Sequence, residues 1–138
     1  AQDRRELFAR MVFNILVSND DDHLRNHAFL FDVVGGGWRL SPLYDVVPKP
    51  QVAQERVLHL SVGPRGRSAR LDNALAGAGR FGLLPPDAAR IIDRVVGVVR
   101  GWRDIFEGRG VPVRECDRVA SAFRRAVDIG MRDVDRQL

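Results

Sequence analysis

At 138 residues, 45% hydrophobic and 29% charged, the chain has single-domain length and can bury roughly two thirds of its unfolded surface. Its single cysteine, Cys116, excludes an internal disulfide, and neither a targeting signal nor an apolar run able to cross a bilayer is visible, so a reducing, cytoplasmic setting without a membrane partner is expected. The formal charge of +4 and the pI near 10.4 come almost wholly from arginines scattered through every segment, which argues against a dedicated nucleic-acid groove.

In chain order, Leu7, Phe8, Met11, Val12, Ile15 and Leu16 recur at three- and four-residue spacing and predict an amphipathic helix over Arg4–Val17. An acidic loop follows, Ser18 to Asn26. His27–Asp32 has the aromatic and branched residues of a strand, Gly35-Gly36-Gly37 supplies a tight turn, and Trp38-Arg39-Leu40 begins a return strand. Val46–Arg56, broken by Pro48 and Pro50, reads as loop, and Val57–Val62 as a short strand; His27 and His59 are accordingly strand residues. Ser68 is placed to cap a helix from Ala69 to about Ala78. The clearest helix opens at Pro85-Pro86-Asp87, with proline in the first turn and an acid at the positive end of the dipole. Its apolar face runs through Ile92, Val95, Val99, Trp102 and Phe106 until Gly108. A last helix, Arg114 to about Asp128, shows Cys116, Val119, Phe123, Ala126 and Val127 on one side, and with its predecessor should form an antiparallel pair. The class is α+β, mostly helical.

The acidic run Asp20-Asp21-Asp22 acquires meaning through its spacing. An Asp followed five positions on by Asn, then by a hairpin-length insert and another Asp, is the arrangement used in protein-kinase phosphoryl transfer. Asp21 has Asn26 at that offset, whereas Asp20 meets Arg25 and Asp22 meets His27; Asp45 follows Asn26 by nineteen residues. Asp21 would lie near an acceptor hydroxyl. Asn26 and Asp45, an amide oxygen and a carboxylate, would hold magnesium while leaving room for phosphate oxygens and water. The hairpin between them would bring the two ligands together at its open end. Counted from Asp20 as a calcium loop, the sixth and twelfth positions hold Arg25 and Phe31 rather than Gly and Glu, so that pattern fails.

Asp21-Asp22-His23-Leu24-Arg25-Asn26, followed by Leu40-Ser41-Pro42-Leu43-Tyr44-Asp45, resembles the catalytic and metal-binding segments of the HipA-like serine/threonine kinases, the toxins of bacterial toxin–antitoxin modules. The resemblance is strong over about residues 18 to 48 and weaker beyond. It implies a protein-kinase-like C-lobe with a catalytic loop, a small β-hairpin and C-terminal antiparallel helices, using ATP and Mg2+ to phosphorylate a protein hydroxyl. Asp21 would be the catalytic aspartate and Asn26 and Asp45 the magnesium ligands. Arg25, where the toxin has Lys, and His23 would lie on the nucleotide side of the site, Arg25 against the transferring phosphate. His23 is read as a hydrogen-bonding brace of the loop, with a general base as the alternative, and Tyr44 as a packing residue that orients Asp45. The implied partners are a protein substrate and a DNA-binding antitoxin, making any contact with DNA indirect. Val46-Val47 replace the Phe-Gly that follows the metal-binding Asp of eukaryotic kinases, so activation-loop switching is not implied.

Neither a phosphate-covering glycine- or serine-rich loop nor a strand-borne lysine is found; Lys49, between Pro48 and Pro50, is the only lysine. Gly35-Gly36-Gly37 lacks the Gly-Lys-Ser/Thr ending of a phosphate loop. Residues 1–138 are therefore expected to be a single domain, the C-terminal lobe of a larger kinase whose nucleotide-anchoring lobe is absent, and inactive in isolation. The alternative is a catalytically inert kinase scaffold that binds an antitoxin-like partner or nucleic acid. A magnesium-dependent hydrolase on the same acids gives no reason for the Asp-to-Asn offset. Ser68, in the basic stretch Arg65 to Arg70, could be a phosphorylation site but is read as the helix cap.

Overall fold

A computed structural model describes residues 2–138. The predicted first helix is α1 (Gln2–Val17), and its apolar stripe becomes the centre of the core: Phe8, Val12 and Ile15 are fully buried, with Leu16 and Val17 nearly so. Two polar residues, Arg10 and Asn14, are buried on the same helix. The hairpin pairs β1 (Phe29–Asp32) with β2 (Gly37–Leu40), antiparallel, with Phe29 opposite Leu40 and Asp32 opposite Gly37. Gly36 takes φ +68° in the turn, where a side chain would be strained. Asp32 Oδ1 accepts the backbone N–H groups of Val34 and Gly35 at 3.0 and 2.9 Å, an Asx turn that fixes the reversal. The sheet has only these two strands, and Phe29, Phe31 and Trp38 are exposed on it.

Val57–Val62 does not form the expected strand. Only isolated bridges occur, Val57 to Ser68 and Gly63 to Gly66, because the segment folds around the fully buried Asn73 instead. Asn73 Oδ1 accepts Arg65 N–H at 2.9 Å, and its Nδ2 donates to the carbonyls of Ser68 and Gly66 at 2.9 and 3.3 Å. Ser68, engaged in a bridge, caps nothing. The helix α2 is Leu71–Ala76, with Arg70 at its N-cap position and no side-chain cap. Asp72 in its first turn gathers Arg65 at 2.6 Å and Arg70 at 3.1 Å and accepts Asn73 N–H at 3.0 Å.

The helix opening at Pro85 is α3 (Pro85–Arg100), packed along α1. Its fully buried Ala88 and Ala89 permit close approach, and Ile92, Val96 and Val99 complete the contact face. Phe8 meets Phe81 edge to face, centroids 5.3 Å apart. Periodicity predicts one helix through Phe106; the structure divides it at Gly101 (φ −89°, ψ 14°) into α3 and α4 (Trp102–Gly108). Glycine is a poor helix former, and the break lets Trp102 stack on Phe123, centroids 4.0 Å apart and planes 2° from parallel.

The last predicted helix is also broken, into α5 (Val113–Val119), 3-10 turns over Ala120–Ala122 and Ala126–Ile129, and α6 (Met131–Asp135). Long-range hydrogen bonds take the place of helical ones. Ser18 Oγ donates to Ala122 O at 2.7 Å, and Arg124 N–H to Leu16 O at 2.9 Å. Ala122 and Ile129 are buried with Cys116, whereas Val127 is exposed; in place of the expected pair of long helices, α5 packs on the short α4, α6 on α2 and α3, and the stretch from Ala122 to Arg124 is tied to the end of α1.

Phe8→Ala should lower unfolding free energy by about 3–5 kcal/mol, measurable by urea titration. For Asp72, burial raises the carboxyl pKa but hydrogen bonds from Arg70 and Arg65 outweigh it, holding the group below its ordinary value of 3.8. Its stabilising contribution is present above that value and is lost as pH falls through the folded-state pKa. Urea midpoints taken between about pH 2 and pH 6 should therefore fall more steeply with acid for the natural chain than for Asp72→Asn.

Candidate functional site

The acidic loop begins where α1 ends. Ser18 is left-handed at φ 57°, and Asn19 N–H returns to Asn14 O at 3.0 Å, a Schellman-type closure that normally recruits glycine. The turn separates the three acids, giving Asp20 and Asp22 different partners.

Asp20 accepts Lys49 Nζ at 2.6 Å and Gln51 Nε2 at 3.2 Å, and the hydrogen bond to Asp20 raises the Lys49 pKa above its ordinary value. Asp22 turns inward, its side chain only 13% exposed; it accepts Asn14 Nδ2 at 2.8 Å and lies 2.8 Å from His27 Nε2. That histidine contact lacks hydrogen-bond alignment. Asp21 is exposed, and among the described residues its carboxylate makes no hydrogen bond or ion pair.

Asn26 Nδ2 donates to the backbone oxygen of Asp21 at 3.1 Å, leaving Oδ1 without a protein partner. The two are thus held at opposite ends of one short loop, closed by His23 N–H to Asp21 O and Asn26 N–H to His23 O, each 2.9 Å, around a 3-10 turn over Leu24–Asn26. Asp45 arrives from the far side of the hairpin. Tyr44 Oη donates to Arg25 O at 2.8 Å, and Ser41 N–H to Ala28 O at 2.8 Å, so residues adjacent to Asn26 and to Asp45 are tied together. Asp45 is exposed and left-handed, φ 53°, a conformation Asp tolerates better than most residues.

His23 braces the loop through its main chain; its Nδ1 is buried without a partner and its ring meets His59 edge on at 5.9 Å. His27 lies before β1 and His59 in a bend, so neither is a strand residue. Tyr44, 41% exposed, works as a hydrogen-bonded strut rather than by packing. Arg25 is exposed and its guanidinium makes no ion pair among the described residues. An apolar cavity of about 250 Å³, walled by Leu7, Met11, Leu58 and Leu60, lies against Asp22 and His27.

Residues outside the motif set this geometry. Arg10 donates from Nη2 to Ser41 O at 2.7 Å while its Nε holds Glu6 at 2.8 Å, and Asn19 Nδ2 donates to Asn14 Oδ1 at 3.0 Å. The signal for Arg10 and Asn14 is available in sequence, as polar residues inside the apolar stripe of α1; Lys49 and Gln51 give no such signal. Among the described residues no three His, Cys, Asp or Glu side chains converge as a metal cluster. What the loop offers is an exposed Asp21 carboxylate without a partner among the described residues, an Asn26 side chain bonded to the Asp21 backbone, and an Asp45 whose neighbour Tyr44 is tied to Arg25.

The family model for the HipA-like C-terminal domain matches residues 1–102. No curated protein and no solved structure matches the chain. Among the described residues no helix is long and apolar enough to cross a membrane.

Asp22→Ala should destabilise the fold by about 1–3 kcal/mol, because it orphans the Asn14 amide, while Asp21→Ala should stay within about 0.5 kcal/mol. Urea denaturation of the two variants side by side checks the division of roles.

Proposed function

Because the chain belongs to the HipA-like C-terminal domain family, we propose that it is the catalytic C-terminal lobe of an ATP-dependent serine/threonine protein kinase. The observation that carries this reading is the sorting of three consecutive acids. Asp20 and Asp22 are consumed by Lys49 and Asn14, and the one left unengaged, Asp21, is the one whose backbone is bonded to Asn26.

In this reading Asp21 orients the acceptor hydroxyl and takes its proton as the oxygen attacks the terminal phosphoryl group of ATP, whose bond to the bridging oxygen breaks so that ADP leaves. The donor set fits magnesium: the Asn26 amide oxygen and the Asp45 carboxylate are hard ligands, too few for a closed cage and suited to an ion shared with phosphates. Magnesium, when bound, screens the charge on the phosphate oxygens. The Tyr44–Arg25 hydrogen bond keeps the Asn26 and Asp45 segments in register, and Arg25, with no ion-pair partner of its own, is free to turn its guanidinium toward phosphate. His23 shapes the loop rather than touching the nucleotide. The protein substrate lies on the side of the irregular segment after Asp45, and the partner is an antitoxin-like DNA-binding protein in the cytoplasm.

In the intact protein, Asp21→Ala or Asp45→Ala should lower phosphotransfer from labelled ATP by at least about a hundredfold, with folding confirmed by circular dichroism. Near-normal transfer in either variant would sink the assignment. Retention of antitoxin binding by the double variant Asp21→Asn, Asp45→Asn in a protein that never transfers phosphate would favour the inert interaction module.

A further inference from the structure

The irregular segment around residues 51–56 is held to the body of the fold by two guanidinium groups that have only neutral acceptors. Arg56 donates to Ala53 O at 2.8 Å, Gln51 O at 2.9 Å, Ser18 Oγ at 2.5 Å and Ser121 O at 2.9 Å. Arg124 donates to the Ala69 carbonyl and to Gln54 O at 3.1 Å, two of the five N–H donors a guanidinium carries. Among the described residues neither makes an ion pair with a carboxylate. Arg70, close by, is already engaged by Asp72.

The electrostatic result is positive charge in a partly dry place. Burial, then the proximity of Arg56 and Arg70, lowers the Arg124 pKa to about 10; the group is still protonated at neutral pH. An unpaired charge so placed is costly unless something compensates it. Arg56 and Arg124 open onto a cavity of about 240 Å³ that Ser121, Phe123, Arg125 and Asp128 also line. Arg125 is 79% exposed and lies 3.8 Å from Asp128.

We propose that this cavity is a phosphoryl-binding site, in which Arg124 and Arg56 at the base and Arg125 at the rim hold the dianionic head of a phosphate monoester. Arg124, with three N–H donors unused, presents a planar fork suited to phosphate oxygens, whereas Arg56, four of whose five are taken, contributes mainly its charge; charge-assisted hydrogen bonds of this kind are the strong ones. The site is compact, about 240 Å³, which favours a single phosphoryl group over a nucleic-acid backbone, and the Asp128 carboxylate in its lining is paired with Arg125. The source is a phosphoserine side chain or free phosphate. Occupancy would tighten the loop that also carries Gln51, the partner of Asp20. The assignment does not depend on phosphotransfer at Asp21.

Calorimetric titration of the 138-residue chain without ATP tests it, using inorganic phosphate, a short phosphoseryl peptide, its unphosphorylated form and a single-stranded oligonucleotide. Phosphate and the phosphoseryl peptide should bind and the unphosphorylated peptide should not. Arg125→Gln, on an exposed side chain, and Arg124→Lys, which keeps the charge but loses the fork, should each weaken binding by about tenfold or more, with unligated melting temperatures unchanged for Arg125→Gln. Tighter binding of the peptide than of inorganic phosphate upholds the site and assigns it a protein-borne group; equal affinities uphold it as a site for the free anion. Absence of binding at millimolar phosphate, unchanged affinity in a folded Arg125→Gln, or displacement of the phosphopeptide by the oligonucleotide overturns it.

Discussion

The arrangement of the acidic loop rests on the hydrogen bond from Asn14, buried on α1, to the inward-turned Asp22. A buried amide without its partner would carry the full cost of desolvation, so wherever α1 packs, Asp22 must follow. Asp21, the exposed neighbour of Asp22, is thereby positioned from a residue seven places earlier on α1. Arg10, one turn before Asn14, does the same for the far strand through Ser41. A helix at the centre of the core thereby also sets the position of the exposed acidic loop.

Three consecutive carboxylates are an electrostatic problem that the surrounding residues divide rather than solve together. Lys49 and Gln51 engage the first, Asn14 and His27 the third, and the middle one has no hydrogen-bond or ion-pair partner among the described residues. The cationic side of the molecule shows the opposite imbalance: Arg56 and Arg124 are placed by carbonyl and hydroxyl oxygens, with no carboxylate paired to either among the described residues.

How much of this can be read from residues depends on whether the determinant is local. The first helix follows from its apolar spacing, and the hairpin from its strand formers flanking Gly36, the one turn position that takes a positive φ. The Asp21–Asn26 spacing singled out one acid of three, and that acid is the one left without a partner. The helix after Pro85 was legible only to Gly101, because periodicity does not register a break made to stack Trp102 on Phe123. The last helix was misread for a related reason: Ala122 and Arg124 bond to Ser18 and Leu16, partners over a hundred residues away that no window of sequence contains. Ser68 looks like a cap until Asn73 draws its carbonyl aside. Engagement of Asp20 by Lys49 was invisible for the same reason, since it needs the loop after Asp45 to fold back on the end of α1.

The left-handed backbone at Asp45 bears on how such a site could decay. Asn and Gly share with Asp an ease in that region of φ, whereas Ala, Val and most other residues do not. A copy of this fold released from selection on its chemistry would still feel the backbone constraint, and substitutions at position 45 would drift first toward Asn or Gly. Asn26 is under no comparable conformational restriction. A lineage that keeps the scaffold but loses the reaction should therefore vary early at position 26 and late, and within a narrow set, at position 45.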